Sequence, residues 1–468
     1  MDGKVSEMEA VQKKNKYEID MCNGTIMDKL ISFALPLMVS SILQLLFNAV
    51  DIIVVGRFTG SQALAAVGST SALINVFTNL FIGISLGANV LTARFYAAGR
   101  EKEVSETVHT AITLALVSGI VMALVGLVFS KGALALMGTP DDVIGLSALY
   151  MRIYFLGMPF FMLYNYGAAI LRAVGDTKRP LLFLMIAGVI NACLNMVLVI
   201  VFKLGVAGVA IATVISQMIS CVLVLRCLCR SESSYRLRFS ELGMKGYYLK
   251  QIFSVGVPAG IQSTVINISN AMLQSSVNSF GSIAMAGYTA ANNLLGFLYV
   301  SVNSITQACM SFTSQNYGVG KLKRMDRVLA DCMILSVVVA VVLGCICYGF
   351  GPEILQIYTE DAEVIACGME ILAYTTITYF LCGWMDLFPG ALRGMGYSAV
   401  PMVLSVIGTV GTRVVWIFGI FPYHRSLAIL FISYPASWII TIILQVVCFY
   451  FVRRRVHRRS QALAGQEG

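Results

Sequence analysis

The chain alternates long apolar runs with short polar breaks. Runs long enough to cross a bilayer as helix, about 20 residues each, fall near 30–55, 63–90, 105–129, 146–170, 180–202 and 205–228. A second group of six falls near 251–277, 283–310, 327–350, 364–389, 399–420 and 427–452. Helix is the state this pattern predicts, because an open strand would leave backbone N–H and C=O groups unpaired in lipid. The expectation is an all-α polytopic membrane protein with twelve transmembrane helices.

The second six repeat the first. A shift of 221 residues brings Gly60-Ser61 onto Gly281-Ser282, Gly99 onto Gly320, Leu171-Arg172 onto Leu392-Arg393, Gly175 onto Gly396 and Pro180 onto Pro401. One further residue of shift places Pro36 on Pro258. Six is an even number of crossings, so both copies run in the same direction. The repeat is therefore parallel, and it predicts two six-helix lobes with a substrate path between them.

Polar residues then set the orientation. Twenty-seven of the 33 basic residues fall in the two end segments and in the loops after even-numbered spans, while Arg57, Lys131, Lys203 and Arg425 fall on the opposite side. Basic residues favour the cytoplasmic side, so both termini are expected there. The same distribution accounts for the net charge of +9 through topology, with no nucleic-acid partner. The first 20 residues are charged without an apolar core, which argues against a cleaved signal peptide and suggests a disordered or surface-lying tail. The expected division is a cytoplasmic tail at 1–24, an N-terminal lobe at 25–228, a cytoplasmic linker at 229–250, a C-terminal lobe at 251–452 and a basic cytoplasmic tail at 453–468.

Composition supports the class: 58% of residues are hydrophobic and 12% charged, about half the charge fraction of soluble proteins. The 12 cysteines stand mostly singly in apolar sequence and read as small core residues. No Cys/His set has metal-ligand spacing. Pro36, Pro159, Pro258 and Pro389 lie within or near the ends of spans and can bend them.

Of the 24 acids, most lie in loops and end segments; Asp51 and Asp386 alone stand well within apolar sequence. A carboxylate at bilayer depth needs a cavity, a partner or an ion path. The fifth span carries Asn191 and Asn195 on one helix face, and Thr213 lies at similar depth in the sixth. Convergence of these four would make an all-oxygen site for a hard monovalent cation, such as Na+ at Asp51, or a protonatable pocket. Spacing alone favours interhelical hydrogen bonding for the asparagines and threonine. In the repeat, Leu273 stands opposite Asp51, and Thr412, Trp416 and Tyr434 do not reproduce the set. Arg413, near mid-membrane, needs an anion or carbonyls, and Asp386 in the preceding span is the expected partner. The pair reads as a structural ion pair or a second coupling site.

The span order, the parallel repeat, Pro36 followed by Asp51 in Phe-Asn-Ala-Val-Asp-Ile-Ile-Val-Val-Gly, and the paired Leu-Arg-(Ala/Gly)-x-Gly loops resemble the multidrug and toxic compound extrusion (MATE) family over residues 25–452. The resemblance implies a two-lobed antiporter that exports organic cations and other amphiphiles in exchange for Na+ or H+ by alternating access. It is nearest the branch that resembles DinF, which implies cation-site roles for Asp51, Asn191 and Thr213. That branch carries a second aspartate where this chain has Asn195, a departure that bears on which ion is used. NorM-like members keep a carboxylate where this chain has Ile266. The resemblance implies no cofactor beyond the coupling ion, and a monomer in the plasma membrane of a bacterium.

A flippase for a lipid-linked polar head group is the alternative, weakened because only Arg413 supplies a deep cation. An enzyme is not expected: His109, His424 and His457 all sit at span ends, and no paired-acid motif occurs. The sequence shows no nucleotide-binding loop that would power a pump.

Overall fold

The computed structural model describes residues 16–464. Its regular structure is helical, in the order α1 Met27–Phe58, α2 Ser61–Ala97, α3 Glu101–Leu136, then a bent α4 made of Asp141–Leu156 and Met158–Ala173. α5 follows as Lys178–Asn195 with a π-helical turn at Met196–Val201, then α6 Gly205–Cys229. The second half gives α7 Gly246–Asn278, α8 Ser282–Gly318, α9 Leu322–Gly349 and a bent α10 made of Ala362–Thr375 and Tyr379–Gly394. α11 runs from Ala399 through π turns to Ile420, and α12 spans Leu427–Ala464. The basic residues expected as a separate tail from 453 thus continue α12 as helix.

Among the described residues, nine helices are long and apolar enough to cross a membrane, and the two bent segments bring the number to eleven. The expected twelfth is α8, a 37-residue helix of lower apolarity. Its sequence carries Asn292, Asn293, Asn303 and Gln307, which are exposed or half-exposed. Polar amides in a spanning helix belong against protein or water.

The repeat is visible in the backbone. α2, α3, α4, α5 and the second half of α4 begin 221 residues before α8, α9, α10, α11 and the second half of α10. Gly60 and Gly281 share φ near +95° and +101°, and Gly175 and Gly396 share +96° and +90°. Only glycine takes these angles without strain. The bends recur too, at 47° in α4 and 51° in α10. Pro159 stands at the α4 bend, where its ring ends the preceding helix, whereas Pro36, Pro258 and Pro389 stand inside unbroken helices.

The lobes meet through paired small residues at the end that carries the termini. Gly83-Ile-Ser-Leu-Gly87 of α2 crosses Gly256-Val-Pro-Ala-Gly260 of α7. A methyl group on Gly83 would stand 2.3 Å from the Gly260 Cα, and one on Gly256 would stand 2.4 Å from the Ile84 Cα. Such approach maximises van der Waals contact where lipid supplies no hydrophobic drive. Polar bonds reinforce it: Ser311 donates to Asn89 Oδ1 at 3.1 Å, Ser314 to the Val90 carbonyl at 2.6 Å and Gln315 to the Ala173 carbonyl at 2.7 Å. Phe33 of α1 packs edge-on against Phe312 of α8 with ring centroids 5.6 Å apart.

Of the tail expected at 1–24 to be disordered or surface-lying, residues 1–15 lie outside the described residues, while residues 18–24 pack against this seal. Met21 is fully buried, its carbonyl accepts from Asn316 at 3.1 Å, and Glu18 accepts from Tyr96 and Tyr235 at 2.8 and 2.7 Å. The linker lies along α3, where the Arg238 backbone N–H donates to His109 Nε2 at 3.0 Å.

Gly260→Val should lower stability by about 1–3 kcal/mol, the usual penalty for overpacking. It should also speed labelling of an engineered cysteine between the lobes from the terminus side. Unchanged melting and labelling would show that the crossing does not hold the lobes together.

Candidate cation site

Asp51 lies on the half of α1 away from the lobe crossing, flanked by exposed Ile52 and Ile53 and by buried Val54 and Val55. The carboxylate itself is half-buried. Asn195 answers it from α5: its Nδ2 donates to Asp51 Oδ1 and also to Asn191 Oδ1 at 3.2 Å. Asn191 is 5% exposed and Asn195 fully buried. The i, i+4 spacing places both amides on one face, and the π turn that begins at Met196 widens the helix directly after them, a distortion common at functional positions.

Thr213 of α6 completes the group. Its hydroxyl stands near enough to the Asp51 carboxylate to act on it and donates to the Val209 carbonyl at 3.0 Å. The single hydroxyl proton serves one of them at a time. Asp51, Asn191, Asn195 and Thr213 are therefore brought together, as the sequence pattern allowed.

One oxygen is left over. Asn195 Oδ1 is buried and has no hydrogen-bond donor, an arrangement that costs free energy unless something electropositive answers it. A carboxylate, an orphaned amide oxygen and a hydroxyl form an oxygen-only donor set suited to a hard monovalent cation. Among the described residues no cluster of three His, Cys, Asp or Glu occurs.

Sequence reasoning missed the aromatic wall. Tyr150 and Tyr154 of α4 stand close enough for the Asp51 charge to act on both, and their rings stack at 6.2 Å. The Gln217 side chain of α6 meets the Tyr154 hydroxyl. The signal was present as tyrosines four residues apart in the fourth span, but that they face α1 is a tertiary fact that spacing does not reveal.

The expected pairing of Asp386 with Arg413 is not formed. Arg413 Nη1 donates to Asn270 Oδ1 at 2.6 Å and reaches Ser269 Oγ at 3.4 Å, both on α7, and its guanidinium lies 4.8 Å from the Tyr434 ring centroid. The cation acting on Asp386 is Arg393, two helical turns further along α10, which itself donates to Gln262 Oε1 at 2.6 Å. The helix that carries Arg413 turns its guanidinium to hydrogen-bond with α7.

The MatE family model matches the chain twice, over residues 36–197 and 258–418. The chain belongs to the MatE family. The two matches fall one in each lobe, which accords with the internal repeat. Among MatE relatives, "Probable multidrug resistance protein YoeA" of Bacillus subtilis is 32% identical over 434 residues, covering 90% of this chain and 93% of its own. "Multidrug export protein MepA" of Staphylococcus saprophyticus is 22% identical, covering 82% of this chain and 85% of its own. A solved outward-facing conformation of a multidrug resistance MATE family transporter overlays with a TM-score of 0.86 at 19% identity, covering 96% of this chain and all of that one. This likeness establishes the fold. The protein is a MatE family transporter of two helical lobes, integral to the plasma membrane.

Removing the amide that holds Asp51 tests the cluster. Asn195→Ala should destabilise this MatE protein by about 1–3 kcal/mol, the range for leaving a buried polar partner unsatisfied, read as a lower melting temperature in detergent. A melt identical to that of the native protein would show that the Asp51–Asn195 contact carries no weight.

Proposed function

We propose that this protein is a secondary antiporter that exports amphiphilic or cationic small molecules in exchange for a monovalent cation, H+ or Na+, bound at Asp51. The observation that carries the proposal is the contact of Asp51 with Asn195, with Thr213 in reach and Asn195 Oδ1 unanswered. A carboxylate of this kind can be neutralised by a proton or by a metal ion, and either removes the cost of a charge at membrane depth. Asn191 and Asn195 orient the carboxylate, and Thr213 offers a hydroxyl oxygen to Na+ or a proton to an unoccupied Asp51.

Alternating access follows from where the lobes touch. The close approaches and hydrogen bonds between lobes gather at the terminus side, so the space between them opens on the opposite face, toward the outside if both termini are cytoplasmic. Loss or gain of an ion at Asp51 changes the packing of α1 against α5 and α6, and α1 also packs on α8 through Phe33 and Phe312. One helix thus links the ion site to the seal. The moving bodies are the lobes at 25–228 and 251–452, joined by the linker at 229–250, and the working unit is a monomer. The names of YoeA and MepA support multidrug substrates for this chain. A flippase reading has little support, because Arg413 is committed to Ser269, Asn270 and Tyr434.

Purified protein in vesicles with separately imposed Na+ and proton gradients should drive efflux of a fluorescent cationic dye, and Asp51→Asn should reduce efflux to that of empty vesicles. Efflux by Asp51→Asn at the native rate would remove Asp51 from the coupling step. Thr213→Val should weaken coupling to Na+ more than coupling to H+, because a metal ion loses an oxygen ligand while a proton on Asp51 does not. Equal loss with both gradients would count against a hydroxyl ligand.

A further inference from the structure

The C-terminal lobe holds a buried charge that the proposed coupling site does not use. Arg413 is 3% exposed and sits in a four-residue stretch of helix, Thr412–Val415, between two π turns of α11. Its partners are neutral: Asn270 Oδ1 at 2.6 Å, Ser269 Oγ at 3.4 Å and the Tyr434 ring face at 4.8 Å. The Tyr434 hydroxyl meets that of Tyr288 at 2.9 Å, and Arg413 Nε is buried without an acceptor. Among the described residues no carboxylate forms an ion pair with it. A buried cation held only by neutral groups is costly to maintain.

Its place in the repeat supplies a reason. The N-terminal site draws on α1, α5 and α6, whose counterparts are α7, α11 and α12. Arg413 follows Thr412, the counterpart of Asn191. Its ring partner Tyr434 is the counterpart of Thr213. Its hydrogen-bond partners Ser269 and Asn270 precede Leu273, the counterpart of Asp51, by about one helical turn. The guanidinium therefore sits among the same three helices, at the same places along them, as the oxygens of the N-terminal site. One lobe has a fixed anion that an exchangeable cation can neutralise; the other has lost that anion to leucine and carries a fixed cation, held by an amide oxygen, a hydroxyl and an aromatic face.

We propose that Arg413 is a tethered cation that permanently fills the C-terminal counterpart of the ion site. It holds α7, α11 and α12 in one arrangement throughout the cycle, so that the N-terminal lobe alone exchanges an ion. The part concerning exchange rests on the reading of Asp51 given above; the part concerning the filled site stands on the contacts of Arg413.

The test uses the full-length protein purified in detergent and needs no transport. Arg413→Ala leaves a hole shaped for a guanidinium. Its melting temperature should fall by several degrees and recover with millimolar methylguanidinium but not with NaCl at equal ionic strength. The native protein and Asp51→Asn should not respond to methylguanidinium. An Arg413→Ala protein that melts like the native one, or that ignores methylguanidinium, overturns the proposal. Should Arg413→Ala fail to fold, Arg413→Lys and Arg413→Met decide: stability in the order Arg, Lys, Met supports a required cation, and Met equal to or above Arg overturns it. Native efflux by Asp51→Asn would refute the coupling reading while leaving the melting result intact, so the two fail separately.

Discussion

A carboxylate set in an apolar helix has to be answered by the protein, and in this chain Asp51 is answered by an amide. The Asn195 contact ties α1 to α5, and Thr213 brings in α6. Had the fifth span carried an acid at 195, two like charges would share the pocket and one would be forced to hold a proton or a metal ion. With asparagine there, the site has one titratable group. The amide supplies a donor to the carboxylate on one side and leaves an oxygen unanswered on the other.

The rest of the fold determines what that site can influence. Four glycines let α2 and α7 approach to backbone contact and close the lobes at the terminus end. Asp51 lies on the other half of α1, beyond the seal. The same helix touches the seal through Phe33 and the site through Asp51, so a change in the charge of Asp51 is felt along one rigid element. α8, with its exposed and half-exposed amides, is too polar to be an ordinary lipid-facing span and suits the wall of a wet space between lobes.

Much of this was legible in the sequence. The spans, the 221-residue register and the grouping of Asp51 with Asn191, Asn195 and Thr213 follow from apolar run length, matched glycines and the rarity of polar groups at depth. The i, i+4 asparagines could be placed on one face because helix period is fixed. What could not be read is which way helices turn toward one another. Arg413 was expected to meet Asp386 because that acid stands in the preceding span, although nearer the cytoplasmic end; its hydrogen bonds go to α7 instead. Tyr150 and Tyr154 stand near Asp51 through helix packing that spacing does not reveal. Gly83, Gly87, Gly256 and Gly260 are visible as two G-x-x-x-G patterns, yet that they face each other across the lobes is a tertiary fact. Met21 is held likewise by a distant donor: its carbonyl accepts from the Asn316 side chain, 295 residues away.

The central claim is that a single cation leaves Asp51 when a molecule is exported. It is tested most directly by adding a cationic dye to the purified protein in weakly buffered detergent, while recording proton release with a pH indicator and Na+ release with a radioactive tracer. The account predicts release of one cation per protein molecule, as H+ or Na+, and none from Asp51→Asn at a dye concentration that saturates it. The same release from Asp51→Asn as from the native protein would contradict it.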